Sequence, residues 1–380
     1  MARSSHALRA VDAPGVTLGS EVLPGPVVAG QPVPLARFLT DCAASLLPGA
    51  PTDPDLVAAR DRFVAGGLAA LGAPDDEPPW VQRGIDLPDD PVRRRALYRA
   101  VGAYVREALG DGSAQNAFFL HKAPGLRLRL QRADDGAPAA GRTAGPGRRR
   151  DDVLGTPLDG TLDAAVARWR DAGLVTTVVP GVYEPERTLF GGPRSMEHVH
   201  ALSTVDSLLW LDRHAGGPAG EPPTSPAWLV SLAVLDTLLT GLGVTGWEDL
   251  DVWAHVRDRA GRRLPDDPAT RAELAASQDA VRDVWARREL IPLLLDGPAR
   301  TAVEAYGAAV LEGARRWSAG YFTQPGAQVG PRAAAAMYVV FHWNRGGLTP
   351  SEQALVAESL GRRAGDAPDD APDDDRQATP

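Results

Sequence analysis

Two arginines in an alternating run have the clearest chemical potential. In Leu126-Arg127-Leu128-Arg129-Leu130-Gln131, a strand turns three leucines to one face and Arg127, Arg129 and Gln131 to the other. Two guanidiniums on one face could hold a carboxylate or orient peptide carbonyls through charge-assisted hydrogen bonds. The alternative is a solvated face paired with neighbouring acids. Tyr183-Glu184-Pro185-Glu186 puts two carboxylates on one side of an extended segment. Either could do acid–base work if burial raised its pKa, or both could belong to a charged loop. His342, Asn344 and Arg345 follow an apolar helical run, which suggests a lined cavity or a histidine capping the helix end. His198 and His200 lie two apart on a helix and point away from each other. With Glu197 they lack zinc spacing, so no metal site is expected. Walker, dinucleotide-binding and GxSxG patterns are absent.

The elements around these residues are legible by period. A strand is expected at Trp80 to Ile85. Asp89-Asp90-Pro91 then opens a helix that ends at Gly110. Strands follow at Asn116 to Lys122 and Leu126 to Gln131, separated by the turn Ala123-Pro124-Gly125. A polar loop covers Arg132 to Asp152. Thr161 is expected to cap a helix carrying Leu162, Val166 and Trp169, and Leu174 to Val179 reads as a buried strand. This order predicts an α+β fold, a ferredoxin-like split βαβ antiparallel sheet with both helices on one face and the other face open. After Gly191-Gly192-Pro193 the chain is predicted to be mostly helical. The expected organisation is a helical extension over 1–75, the α+β part over 80–190, the helical part over 191–362 and a disordered acidic tail over 363–380.

Composition narrows the function classes. The 380 residues carry 40 Lys+Arg against 49 Asp+Glu, a net charge of −9, which argues against nucleic acid as the main partner. Cys42 is the single cysteine, so no internal disulfide or cysteine-rich metal site can form. No signal peptide or membrane-spanning run is evident, and a cytoplasmic protein with no membrane partner is expected. The nine tryptophans fall mostly at helical core spacing, as at Trp210, Trp253, Trp285 and Trp317.

Several motifs in sequence resemble one family. Phe118-Phe119 with Pro124-Gly125-Leu126-Arg127-Leu128-Arg129 is similar to the signature strand pair of the lantibiotic-dehydratase C-terminal domain, also called the thiopeptide-type bacteriocin biosynthesis domain. Tyr183-Glu184-Pro185-Glu186, with Phe190-Gly191-Gly192-Pro193 and Met196, resembles its second signature. Asp206-Ser207 and His342-Trp343-Asn344-Arg345 resemble the third and fourth. The resemblance runs from about Trp80 to Leu360.

It implies one of two activities on a precursor peptide. One eliminates glutamate from glutamylated Ser/Thr. The other, in pyridine synthases, joins two dehydroalanines in a formal aza-[4+2] cycloaddition that closes a macrocycle and expels water and the leader peptide. Eliminating members carry an arginine three residues after the position of Glu186, where this chain has Leu189. The family's histidine before Asp206-Ser207 is Thr204 here, and its arginine-tyrosine after the phenylalanines is His121-Lys122. No long glutamylation domain precedes the resemblance. These departures favour a stand-alone pyridine synthase, with a glutamate-eliminating lyase or a non-catalytic leader-peptide-binding partner as alternatives. The resemblance implies Tyr183, Glu186 and His342 as proton-transfer residues. Arg127, Arg129, His121, Ser203, Asp206 and Asn344 become substrate contacts, and no cofactor is implied. The partner is a precursor peptide with a leader and a dehydroalanine-containing core.

Overall fold

The computed structural model describes residues 26–46, 53–72, 80–133, 158–217 and 221–361. Most of the predicted polar loop and the predicted acidic tail lie outside these residues. The chain divides into two units, Met1–Glu77 and Pro78–Pro380.

The first unit holds a hairpin of β1 (Val27–Val28) and β2 (Gln31–Pro32), followed by α1 (Leu35–Ser45) and α2 (Pro54–Gly72). Phe38, Cys42 and Ala59 form its small core.

The second unit begins with β3 (Trp80–Asp86), α3 (Pro91–Gly110), β4 (Ala114–Lys122), β5 (Gly125–Arg132), α4 (Leu158–Asp171) and β6 (Val178–Gly181). The strands form one sheet in the order β4-β5-β3-β6, and each neighbouring pair is antiparallel. Asp90 starts α3 as its sequence suggests: its side chain accepts from the backbone N–H groups of Val92 (2.6 Å) and Arg93 (3.0 Å). Leu126, Leu128 and Leu130 are buried with Ile85, Val101 and Leu162. Burying such side chains contributes about 1.5–3 kcal/mol each.

Three expectations need correction. Thr161 lies inside the first turn of α4, because its hydroxyl donates to the Leu158 carbonyl (3.0 Å) and the helix already starts at Leu158. The last strand is shorter and later than Leu174 to Val179. It is an edge strand paired only with β3, so Val179 is exposed. The arginine face of the sheet is not open. Gln82, Phe118, Arg129 and Gln131 are all buried there.

Helices follow: α5 (Arg187–Phe190), α6 (Pro193–Ala215), α7 (Ala227–Leu242), α8 (Asp249–Asp258), α9 (Pro268–Ala286), α10 (Ile291–Leu294), α11 (Gly297–Trp317), α12 (Pro331–Gly346) and α13 (Pro350–Leu360). The predicted capping box opens α13, with Thr349 and Glu352 bonded reciprocally. Strands and helices share one core. Helices α7 and α11 pack so closely that a Cβ added at Gly241 would lie 2.5 Å from that of Ala314. Helix α6 seals the free edge of β4. Thr204 Oγ1 accepts from the Ala117 N–H (3.1 Å) and Ser207 Oγ from the Phe119 N–H (3.2 Å). Among the described residues no helix is long and apolar enough to cross a membrane.

Candidate active site

Register across the sheet places Gln82 of β3 and Phe118 of β4 on either side of Arg129. Arg129 Nε donates to Gln82 Oε1 (2.7 Å), and the side chain is 9% exposed. Its Cζ lies 4.5 Å from the Tyr183 ring centroid and 5.2 Å from that of Phe118. Cation–π contacts of this kind are worth about 0.5–2 kcal/mol. Burial pulls the guanidinium below its ordinary pKa. Arg127 and Arg345 act in the same direction, while Tyr183 and Glu186 oppose them. An arginine nonetheless stays cationic.

Tyr183 follows β6 after Val182, so the end of the strand aims it back at this face. Its hydroxyl is 2.9 Å from Nε2 of His200 on α6. The His200 ring is stacked on Phe118 and lies 4.6 Å from Trp80. Trp80, Phe118, Tyr183 and His200 therefore wall Arg129 with aromatic rings, and the Tyr183–His200 pair could pass a proton.

A buried ionic network joins α6, α7 and α12. Asp206 of α6 takes Arg345 Nε on Oδ2 (2.5 Å) and meets His342 Nδ1 at Oδ1 (2.8 Å). His342 Nε2 lies 3.0 Å from Ser231 Oγ, which accepts from Trp343 Nε1 (3.0 Å). Nδ1 donates to Asp206, and Nε2 shares a hydrogen bond with the Ser231 hydroxyl. Trp210 Nε1 is a more distant neighbour of Nδ1, at 3.3 Å. Burial pushes the Asp206 carboxyl up, but His342 and Arg345 outweigh it and hold the group below the usual carboxylate range. Arg345 is 1% exposed, and its Nη2 has no hydrogen-bond partner among the described residues. Tyr338 packs beside it and bonds Ser203 and Arg345. Burial raises the Tyr338 hydroxyl far above its ordinary pKa.

The structure sorts the residues singled out by sequence into separate places. Arg129 and Tyr183 meet directly, and the Glu186 carboxylate acts on Arg129 through its field from an exposed position before α5. Ser203, Asp206 and His342 lie in the network containing Arg345. His342 is 0% exposed with both ring nitrogens engaged. Arg127 sits toward the β4–β5 turn, where its Nε donates to the Ala123 carbonyl (3.2 Å).

His121 and Asn344 lie elsewhere. They line a cavity of about 590 Å³ at the C-terminal end of α12, whose lining does not include Arg129, Tyr183 or His342. His121 Nδ1 lies 2.9 Å from the Asn344 carbonyl and His214 Nε2 lies 2.8 Å from the Arg345 carbonyl, so each ring caps the helix end. Burial lowers the pKa of both rings, His214 to about 3.

His200 was discounted by its spacing from His198, and that rule excludes a zinc site but not a proton-transfer pair. Trp80 and Gln82 carried no signal beyond strand alternation. Among the described residues, no group of three or more His, Cys, Asp or Glu is arranged to hold a metal ion.

Residues 80–364 match the family described as Lantibiotic biosynthesis dehydratase C-term. No curated protein matches the chain. Solved structures do. The tRNA-dependent lantibiotic dehydratase MibB from Microbispora sp. 107891 aligns at 17% identity and a TM-score of 0.49, over 75% of this chain and 28% of that one. The chain thus spans little more than a quarter of that dehydratase. The pyridine synthase TbtD, from thiomuracin biosynthesis, aligns at 17% identity and a TM-score of 0.39, over 74% of this chain and 96% of that one. TsrL aligns at 15% identity and a TM-score of 0.40, covering 74% and 93%.

Proposed function

Because this chain belongs to the lantibiotic biosynthesis dehydratase C-terminal family, we propose that it acts on a ribosomally made precursor peptide as a pyridine synthase of thiopeptide biosynthesis. The sheet order β4-β5-β3-β6, antiparallel throughout, supports reading its scaffold as the ferredoxin-like split βαβ arrangement. The observation that carries the reading is the composition of the site. A buried guanidinium, Arg129, is walled by aromatic rings beside the Tyr183–His200 pair. The position three after Glu186 holds Leu189, a side chain that cannot hold a departing glutamate.

The reaction needs two dehydroalanines of one peptide held face to face. One acts as the imidic-acid tautomer of its amide, the other as the alkene partner. Two carbon–carbon bonds form, water leaves from the imidic-acid carbon, and the leader leaves as its amide when the ring becomes aromatic. Holding both alkenes in one site can lower the barrier by about 7–11 kcal/mol. Arg129 donates to a peptide carbonyl and favours the tautomer. The Tyr183 hydroxyl, with His200 behind it, moves the proton between amide nitrogen and oxygen. Glu186, at the open edge, takes the proton lost on aromatisation. Asp206 and His342 fix Arg345 behind Arg129. These steps call on no cofactor, and the peptide is met in the cytoplasm where it is made.

A second reading, a glutamate-eliminating lyase, draws support from the buried, unpartnered Nη2 of Arg345, which could receive a carboxylate. One assay separates the two. A leader-bearing peptide already containing both dehydroalanines should yield a pyridine macrocycle and free leader by mass spectrometry. Failure to release leader from that peptide, with dehydroalanine formed from a glutamylated one, would establish the lyase instead. Binding with neither product would leave a peptide-binding partner.

A further inference from the structure

The cavity of about 590 Å³ at the end of α12 stands apart from the Arg129 site, and its wall is cationic. Three arginines line it, Arg94 and Arg95 from α3 and Arg262 after α8, and among the described residues no aspartate or glutamate does. Elsewhere this acidic chain pairs arginines with carboxylates, as at Arg83–Asp163 and Arg288–Asp249. Here, Arg94 Nε donates to the Pro88 carbonyl (2.8 Å) and Arg262 Nε to Gln353 Oε1 (2.6 Å), which fixes both guanidiniums without neutralising them. The Arg95 side chain makes no hydrogen bond or ion pair among the described residues, and its field reaches Asp90, which does not line the cavity. All three are half-buried. Tyr98, His121 and His214 complete the polar wall. The histidines donate to α12 carbonyls and, with lowered pKa values, add no charge at neutral pH. Unpaired, half-desolvated guanidiniums converging on one hollow favour an anion. The volume falls within the range of ligand pockets, about 300–1,000 Å³, and three separate charges call for more than one carboxylate.

We propose that this cavity is a second binding site, taking the side-chain carboxylates of an acidic stretch of the peptide on which the protein acts. This rests on the peptide-substrate reading above.

The test uses the full chain and two fluorescein-labelled peptides, one with a run of glutamates and one with glutamines in their place, followed by fluorescence anisotropy. The glutamate peptide should bind, weaken as salt is added, and lose affinity by about tenfold or more, roughly 1.4 kcal/mol, in Arg95→Glu. Arg262→Gln should weaken it too, with circular dichroism showing both variants folded. Arg316→Gln should bind the glutamate peptide like wild type, because Arg316 is an exposed residue of α11 outside both the cavity and the Arg129 site. Equal binding of the two peptides would overturn the proposal. So would wild-type affinity in folded Arg95→Glu, a loss in Arg316→Gln matching that in Arg95→Glu, or displacement by millimolar inorganic phosphate but not by glutamate. A chain that binds the glutamate peptide through Arg95 yet forms no pyridine keeps this site and loses the proposed reaction.

Discussion

Arg129 is the residue on which the proposed chemistry turns. Its planar guanidinium lies over Tyr183 while its Nε holds Gln82, a combination that a lysine ammonium cannot reproduce. Arg129→Lys should therefore keep the charge and lower turnover by about 10²–10³-fold, measured as the rate of leader release at saturating peptide. An unchanged rate would remove Arg129 from the site. His342 makes a different prediction. Losing it takes a partner from the buried Asp206, and breaking such a pair costs about 3–5 kcal/mol. His342→Ala should lower the urea midpoint strongly and reduce turnover only through disorder of Arg345. Wild-type stability with abolished turnover would mean that His342 reaches the substrate after all. Strand alternation exposed Arg129 in the sequence, and the family resemblance pointed to Tyr183 and Asp206. They could not expose His200. Its pairing with Tyr183 depends on how α6 is rotated against the sheet, which no local pattern encodes.

At the scale of elements, α6 does more than fill the core. It lays Thr204 and Ser207 along the outer edge of β4, so the strand that carries Phe118 is fixed against the helix that carries His200 and Asp206. Ser207→Ala should leave the Phe119 N–H unsatisfied and destabilise the fold by about 1–3 kcal/mol, read from chemical unfolding. No change would show that the edge is sealed by other means. The end of α12 gives a pH signature. His214 is held to about 3 when folded, below its ordinary value of roughly 6.5, so the unfolded chain binds its proton first. Its stabilising contribution is complete above about pH 6.5 and is lost progressively as pH falls toward 3. His214→Asn should flatten that part of the stability–pH curve, and an unaltered slope would contradict the burial of the ring. Helix α3, the alternation of β5 and the capping box of α13 were legible because each is a local signal. The start of α4 and the extent of β6 were not. Thr161 uses its hydroxyl inside a turn, and β6 has a partner on one side only.

For the molecule as a whole, the order of strands and helices could be read from hydrophobic period, while the closure of the site could not. Asp206 meets His342 and Arg345 across more than a hundred residues of chain. Only packing of α6 against α12 turns two weak motifs into one network. The same packing separates His121 and Asn344 from Arg129, dividing residues that sequence motifs had gathered into a single list. Cycloaddition between two dehydroalanines is the central step proposed for this chain, and the fate of the two alkene carbons decides it. A leader-bearing peptide with carbon-13 at both dehydroalanine β-carbons is converted and its product examined by NMR. The expected result is a one-bond carbon–carbon coupling between the two labels within an aromatic ring. Labels that remain uncoupled alkene carbons after full incubation with folded protein would contradict it.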